Sequence, residues 1–367
     1  MHLPTRFTAY DVTSSMLAIS ACFLLIKPSG LFFSTRKTRT PAASQPKYMA
    51  AVLFFLFLLP IISSEASNSP QWFSYIEAPH FANSEACPTT TAGECDPSVV
   101  HIAMNLDSRY LRGSIAAVHS VLRHTVCPKS LFFHFVVLDY GDALPAAIRV
   151  VFPSLRFRVY RFREDRVRGL ISASVRAALE NPLNYARNYL ADLLPPCVRR
   201  VVYLDSDIIA VDDVRRLWES SAAGFDAAPD AVIAAPEYCN ANFTRYFTAA
   251  FWNGPWGQKA FERRRRRPCY FNTGVMVMDL ERWRARGYGR RIESWMEIQK
   301  RERIYYLGSL PPFLLVFAGD VVGLDHRWNQ HGLGGDNLNG GCRALHPGPE
   351  QARTRMNASN KTSSIRL

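Results

Sequence analysis

Two aspartates one residue apart, Asp205 and Asp207, close the stretch Arg200-Val-Val-Tyr-Leu-Asp-Ser-Asp-Ile-Ile-Ala210. The apolar run from Val201 to Leu204 before them reads as a buried strand. Carboxylates at the C-terminal end of such a strand fall where open α/β sheets place their ligand crevice. Their oxygens suit a hard divalent cation that also binds a diphosphate, as an enzyme handling a nucleotide-sugar requires. Asp is also common in turns. Taken alone, the pair is evenly balanced between a metal site and a polar strand end, and other segments must decide.

The elements that would position this pair alternate in type. Val99 to Met104, Leu131 to Leu138 and Phe157 to Phe162 read as strands. Tyr110 to His124 carries Leu111, Ile115, Val118 and Leu122 at helical spacing, and Ala143 to Val151 also reads as a helix. A helix is expected over Tyr185 to Leu194, stopped by Pro195 and Pro196. The alternation predicts a parallel sheet with helices on both faces. Further on, Tyr270 to Leu280 reads as a strand and Glu281 to Ile298 as a helix, whereas residues 303–345, rich in Gly, Pro and aromatics, read as long loops over a site.

The 367 residues are 48% hydrophobic, enough for a sizeable core. The formal net charge of +13 includes five consecutive arginines, Arg263 to Arg267. No zinc-finger spacing or aromatic RNA-binding motif accompanies them, which argues against a nucleic-acid partner. The run by itself reads as a solvated basic loop, and a basic surface also suits polyanionic sugar chains and anionic nucleotide-sugars. Met49 to Ile62 is a short apolar core after Lys47 and before small residues, the pattern of a secretory signal, cleaved or kept as an anchor. Residues 1–48 then form an upstream extension, 49–66 the signal, 67–97 a polar lead-in segment, 98–346 the catalytic domain and 347–367 a disordered tail. Seven cysteines follow Met49, none with metal-site spacing, so disulfides are expected with one thiol left over. Asn242, Asn357 and Asn360 begin N-glycosylation sequons.

Several segments together resemble a known family. They are His101-Ile-Ala-Met-Asn-Leu-Asp-Ser-Arg-Tyr-Leu-Arg-Gly113, Asn184-Tyr-Ala-Arg-Asn-Tyr-Leu190, Tyr203-Leu-Asp-Ser-Asp207, Tyr270-Phe-Asn-Thr-Gly274, Leu307-Gly-Ser-Leu-Pro-Pro-Phe313 and Asp325-His-Arg-Trp-Asn-Gln-His-Gly332. The ordered set, over roughly residues 99–346, resembles glycosyltransferase family 8 and within it the plant galacturonosyltransferase-like branch. The resemblance implies a single α/β domain of GT-A type, with a Rossmann-like, mostly parallel mixed sheet flanked by helices. It implies retaining transfer from a UDP-sugar, UDP-galacturonate for this branch, to pectin or a related wall polysaccharide. It also implies Mn2+, a lumenal Golgi location, the Golgi membrane if the N-terminal segment stays uncleaved, and complexes with other glycosyltransferases.

Residue by residue, Asp205 and Asp207 would hold the metal bridging the UDP phosphates. Asp107 and Tyr110 would meet ribose and uracil. Arg187 would contact the donor, its planar fork suiting a carboxylate or phosphate. Asn272 would face the donor sugar, and Asn329 the acceptor side. Where many members carry Asp-Gln-Asp, this chain has Ser309-Leu310-Pro311, the form typical of the galacturonosyltransferase-like branch, and no carboxylate nucleophile stands out. The family's closing His-x-x-Gly-x-x-Lys-Pro-Trp is not found after Cys342, and His346 precedes the position of the family's metal histidine. That difference predicts weakened Mn2+ and UDP binding. It keeps open a non-catalytic glycosyltransferase-like partner, or a truncated isoform, as the alternative.

Overall fold

The computed structural model describes residues 75–89, 93–139, 143–173, 177–262, 264–306 and 308–329. The upstream extension, the signal segment, the tail, Cys342, His346, Asn357 and Asn360 lie outside these residues. Four strands read from the apolar pattern are present: β1 (Val100–Asn105), β2 (Leu131–Val137), β3 (Phe157–Arg161) and β4 (Arg200–Leu204). Helix α1 (Leu111–His124) follows β1, and α2 (Ala143–Val151) follows β2. In the second half follow β5 (Ile233–Tyr238), the two-residue β6 (Tyr270–Phe271) and β7 (Val275–Asp279). A short β8 (Val322–Leu324) pairs with β5.

The sheet is mixed rather than parallel throughout. Strands β3, β2, β1 and β4 run parallel side by side, then β7 enters antiparallel between β4 and β5. Alternation along the strands feeds two cores. Val202 and Leu204 of β4 and Val275 and Val277 of β7 join the core beneath α1 and α2. Val201, Tyr203, Met276 and Met278 join the core on the opposite face. A continuous apolar run therefore signals a strand covered on both sides.

Several sequence-based expectations need correction. The segment expected as a helix over Tyr185 to Leu194 is a 3-10 stretch, Pro182–Tyr189, followed by one short turn, α3 (Leu190–Leu193). Its residues are buried on every side from Tyr185 to Tyr189, so tertiary packing rather than one amphipathic face sets its form. The helix expected over Glu281 to Ile298 is two helices, α5 (Leu280–Arg286) and α6 (Tyr288–Glu302), after α4 (Val214–Ala227). Gly287, at φ +64°, takes the left-handed conformation that ends α5. The expected loops over 303–345 include α7 (Leu310–Phe317), whose Pro311 and Pro312 sit in its first turn, where no backbone donor is lost.

Within the arginine run, Arg264 to Arg266 are not a free basic loop, and Arg263 lies outside the described residues. Arg264 donates to Asp320 at 2.7 Å and to the carbonyls of Val316 and Leu315, at the C-terminal end of α7. Arg265 reaches Asp320 as well, and Arg266 pairs with the carboxylate of Glu237 on β5 at 2.8 Å. Among the described residues three disulfides join Cys87 to Cys127, Cys95 to Cys197 and Cys239 to Cys269. The first two fasten the lead-in segment to the domain, beside Tyr75, Ala78 and Phe81, which pack on the α1 side of the sheet.

A buried chain of polar side chains crosses β1, β2 and β3, three of the four parallel strands. His101 Nδ1 lies 3.0 Å from His134 Nε2, and His134 Nδ1 lies 3.0 Å from the Tyr160 hydroxyl. Burial, then the Arg156 charge, lowers His101 to about 4. Burial, with His101 and Arg158, lowers His134 to about 3. Both rings are therefore neutral when folded, whereas the unfolded chain protonates them below about pH 6.5. Stability is full above that pH and falls as pH drops towards 4, by on the order of 3–6 kcal/mol for the pair. Urea titrations at pH 7 and 4.5 should show the fall. His134→Asn should reduce the slope by about 1.4 kcal/mol per pH unit. An unchanged slope in that variant rejects the assignment.

Candidate active site

Asp205 follows β4 directly, and its N–H donates to the Gly274 carbonyl at 2.8 Å. This extends the β4–β7 ladder one step past the Leu204–Val275 pair. Strand alternation puts Tyr203 and Asp205 on one face. The Tyr203 hydroxyl donates to Asp205 Oδ1 at 2.8 Å, and Asn105 Nδ2 at the end of β1 donates to that hydroxyl at 3.1 Å. Burial, reinforced by the Asp205 charge, pushes the phenol well above its usual range, so it stays a donor. One oxygen of Asp205 is thus held from beneath, leaving Oδ2 for the cleft.

The turn opposite is built by an irregularity in pairing. Tyr238 of β5 faces Tyr270, and Ala234 faces Val277. Four steps along β5 therefore correspond to seven along its partner, and the three surplus residues are Asn272, Thr273 and Gly274. The strand expected to be continuous from Tyr270 to Leu280 is broken here. Such bulges re-aim side chains beside active sites. The carboxamide of Asn272, almost fully buried, accepts the Gly274 N–H at 2.6 Å through Oδ1.

Three polar atoms crowd Gly274. A Cβ there would lie 3.0 Å from Asp205 Oδ2, 3.1 Å from Asn272 Oδ1 and 3.3 Å from Asn329 Nδ2. The structure thereby brings Asp205, Asn272 and Asn329 together around one backbone position. Gly274→Ala should displace them by a few tenths of an ångström and lower turnover roughly tenfold, with little change in Tm. Donor kinetics alongside a melting curve check this. An unchanged kcat would show that the crowding is relieved elsewhere.

Arg187, in the 3-10 stretch, is buried and tied to the protein. Its Nε donates to the Asn184 carbonyl at 3.2 Å. Nη1 donates to the Thr273 carbonyl and hydroxyl at 3.1 and 3.2 Å and reaches Asp205 Oδ1 at 3.5 Å, while Nη2 donates to Ser309 Oγ at 3.1 Å. Burial opposes its charge, but the Tyr203 hydroxyl and the charges of Asp205 and Asp207 outweigh it and raise its pKa. The side chain joins four segments: the 3-10 stretch, the end of β4, the bulge and the start of α7.

Asp207 is exposed on one side, yet partial desolvation and then the Asp205 charge push its carboxyl up to about 6. A carboxyl raised in this way beside a second carboxylate makes a hard-oxygen donor set whose charge a divalent cation would offset. The residues fit such an ion. Among the described residues no third His, Cys, Asp or Glu joins them. Across the cleft, Asp107 caps the 3-10 turn Ser108–Tyr110, accepting the Arg109 N–H at 2.9 Å. Burial and the charge of Asp207 raise the Tyr110 phenol, which places Asp207 within electrostatic reach of it. A Cβ on Gly113 would lie 2.3 Å from the Tyr110 ring, so that ring packs where only glycine leaves room.

Four residues of this arrangement carried no assigned role in the sequence reading: Tyr203, Asn105, Thr273 and Ser309. Tyr203 was findable, because it sits two residues before Asp205 on the same strand face. The other three are neighbours only through the fold.

Residues 101–360 match Glycosyl transferase family 8. The chain belongs to this family. It is 56% identical over 301 residues to "Probable galacturonosyltransferase-like 9" of Arabidopsis thaliana, covering 79% of this chain and 75% of that one. It is 61% identical over 282 residues to "Probable galacturonosyltransferase-like 7" of the same plant, covering 76% and 75%. Among solved structures it is similar to the galactosyltransferase LgtC in complex with donor and acceptor sugar analogues, at 20% identity and TM-score 0.47, over 62% of this chain and 74% of that one. Mouse xyloside xylosyltransferase 1 in its apo form gives 20% identity and TM-score 0.47, over 64% and 87%. The family member is a glycosyltransferase, and its mixed, mostly parallel sheet between two helical layers is the GT-A architecture that the resemblance implied.

Proposed function

We propose that this chain is a retaining hexosyltransferase of the Golgi lumen. It would move galacturonate from UDP-galacturonate to a pectin-type or related wall polysaccharide, with Mn2+ held by Asp205 and Asp207. The observation that carries the reading is the convergence of the Asp205 carboxylate, the Asn272 carboxamide and Gly274 at the C-terminal end of β4, with Asp207 alongside. A divalent cation there would neutralise the charge that develops on a departing diphosphate.

The chain's own groups supply the rest. Asp107 and Tyr110 offer a carboxylate acceptor and a ring for ribose and uracil. Arg187 places positive charge behind Asp205, and Asn272 offers a buried amide to the donor sugar. The galacturonosyltransferase-like names of the relatives support a uronate donor, and plant wall glycans as acceptors. The three disulfides support an oxidising, secretory location. Among the described residues no helix is long and apolar enough to cross a membrane. Association with the Golgi membrane would fall to the N-terminal segment, and with other glycosyltransferases to the protein's surface.

Calorimetry of UDP binding by the purified chain, with and without Mn2+, tests the site. Transfer from UDP-galacturonate compared with UDP-galactose then tests the donor. Mn2+-dependent binding and preference for the uronate are expected. A folded chain that binds no UDP in Mn2+ overturns the catalytic reading, and equal use of both donors overturns the uronate assignment.

A further inference from the structure

A second chemically distinct position lies on the turn after β5. The sequence Asn242-Phe-Thr244 opens a short 3-10 turn, Phe243–Tyr246, just beyond the Cys239–Cys269 bridge. Its middle residue points inward. Phe243 is buried and meets Phe261 and Phe247 edge-on, at 5.7 and 6.3 Å between ring centroids. Tyr246 is buried three residues later and stacks on Tyr270 at 5.7 Å. Asn242 and Thr244 are exposed. The turn is therefore anchored by its aromatics and presents only the polar residues of the tripeptide.

The carboxamide of Asn242 is oriented by its neighbour. Oδ1 accepts the Thr244 N–H at 3.2 Å and also the Thr244 hydroxyl. In a planar carboxamide this turns Nδ2 away from the turn, and Nδ2 has no hydrogen bond among the described residues. Beside it, Trp252 donates from Nε1 to the Thr244 carbonyl at 3.3 Å, stacks on Phe261 at 6.2 Å between centroids and remains 37% exposed. An apolar ring face next to a polar attachment point can be covered by the apolar face of a hexose.

We propose that Asn242 is a site of N-linked glycosylation, its first sugar lying against Trp252. The inference rests on the reading that the chain enters the secretory pathway. In the step, Nδ2 forms a bond to the anomeric carbon of an oligosaccharide carried on a polyprenyl diphosphate. The bond from that carbon to the diphosphate breaks, the lipid diphosphate leaves with the electron pair, and Nδ2 loses one proton. The host's oligosaccharide transferase carries this out. The Thr244 hydroxyl, already on the Asn242 carboxamide, is the group such an enzyme reads in the tripeptide.

The full chain should be produced in a eukaryotic secretory host and digested without reduction. Glycopeptides are then treated with a glycan-removing amidase in 18O-water, which converts a glycosylated asparagine to labelled aspartate. The disulfide-linked peptide carrying Asn242 should show the label. N242Q and T244A should remove one glycan from the intact mass, and T244S should restore it. Disulfide-bonded protein from the lumen whose Asn242 peptide is unlabelled overturns the proposal and leaves the compartment reading standing. Protein confined to the cytosol, with reduced cysteines and no glycan, overturns both. In glycosylated material Trp252 should be protected from oxidative footprinting relative to N242Q. Equal oxidation overturns the packing of the sugar on Trp252.

Discussion

If the proposed function holds, D205N and D207N should each abolish Mn2+-dependent UDP binding and lower turnover by about 10²–10³-fold, the cost typical of removing a charged group that stabilises a developing anion. The two variants should differ in stability. Asp205 Oδ1 accepts from Tyr203 and Arg187, and an asparagine oxygen can keep those bonds. Its nitrogen would then stand where Oδ2 faces the cleft, replacing an acceptor by a donor, and Arg187 would lose its nearest counter-charge. D205N should therefore cost both function and stability. Asp207 is raised first by desolvation and then by the neighbouring Asp205 charge. Removing its charge relieves that repulsion, so D207N should keep or slightly raise Tm while losing the ligand. Calorimetry together with a melting curve reads both effects. Wild-type UDP affinity in folded D207N would remove this carboxylate from the site.

R187A carries the second large effect. It leaves Asp205 without its cation, and the Thr273 and Ser309 groups without their common donor. Breaking a buried ion pair from one side costs several kcal/mol. Asp205 is 37% exposed at its side chain, so water screens part of that, and about 2 kcal/mol of stability is expected. Turnover should fall by about 10²-fold or more, because the bulge and the end of β4 lose their shared anchor. R187K should recover little. A lysine supplies one compact ammonium, whereas the planar fork reaches Asn184, Thr273, Asp205 and Ser309 at once. Steady-state kinetics and thermal melts of both variants check this, and full activity in R187K would show that charge alone is required.

The family resemblance implies that Arg187 contacts the donor. In the folded chain its guanidinium also donates to Asn184, Thr273 and Ser309 and reaches Asp205. The basic run after Phe261 was likewise open to a free polyanion-binding role, yet Arg264, Arg265 and Arg266 hold the end of α7 and the edge of β5.

By itself, the sequence determined the strands β1 to β4, the order β1-α1-β2-α2-β3-β4, the carboxylate pair at the end of β4 and the family. Those features are local: apolar runs, helical spacing and ordered motifs are written in consecutive residues. The tertiary structure alone decided that β7 runs antiparallel between β4 and β5 and that three surplus residues form the Asn272–Gly274 bulge. It also decided that Leu310–Phe317 is a helix, and that Asn105, Tyr203, Arg187, Thr273 and Ser309 form one hydrogen-bonded group. Pairing direction and register depend on contacts between segments far apart in the chain. Proline and glycine, which punctuate loops when read locally, serve equally to start a buried helix at Pro311 or to make room for three converging side chains at Gly274.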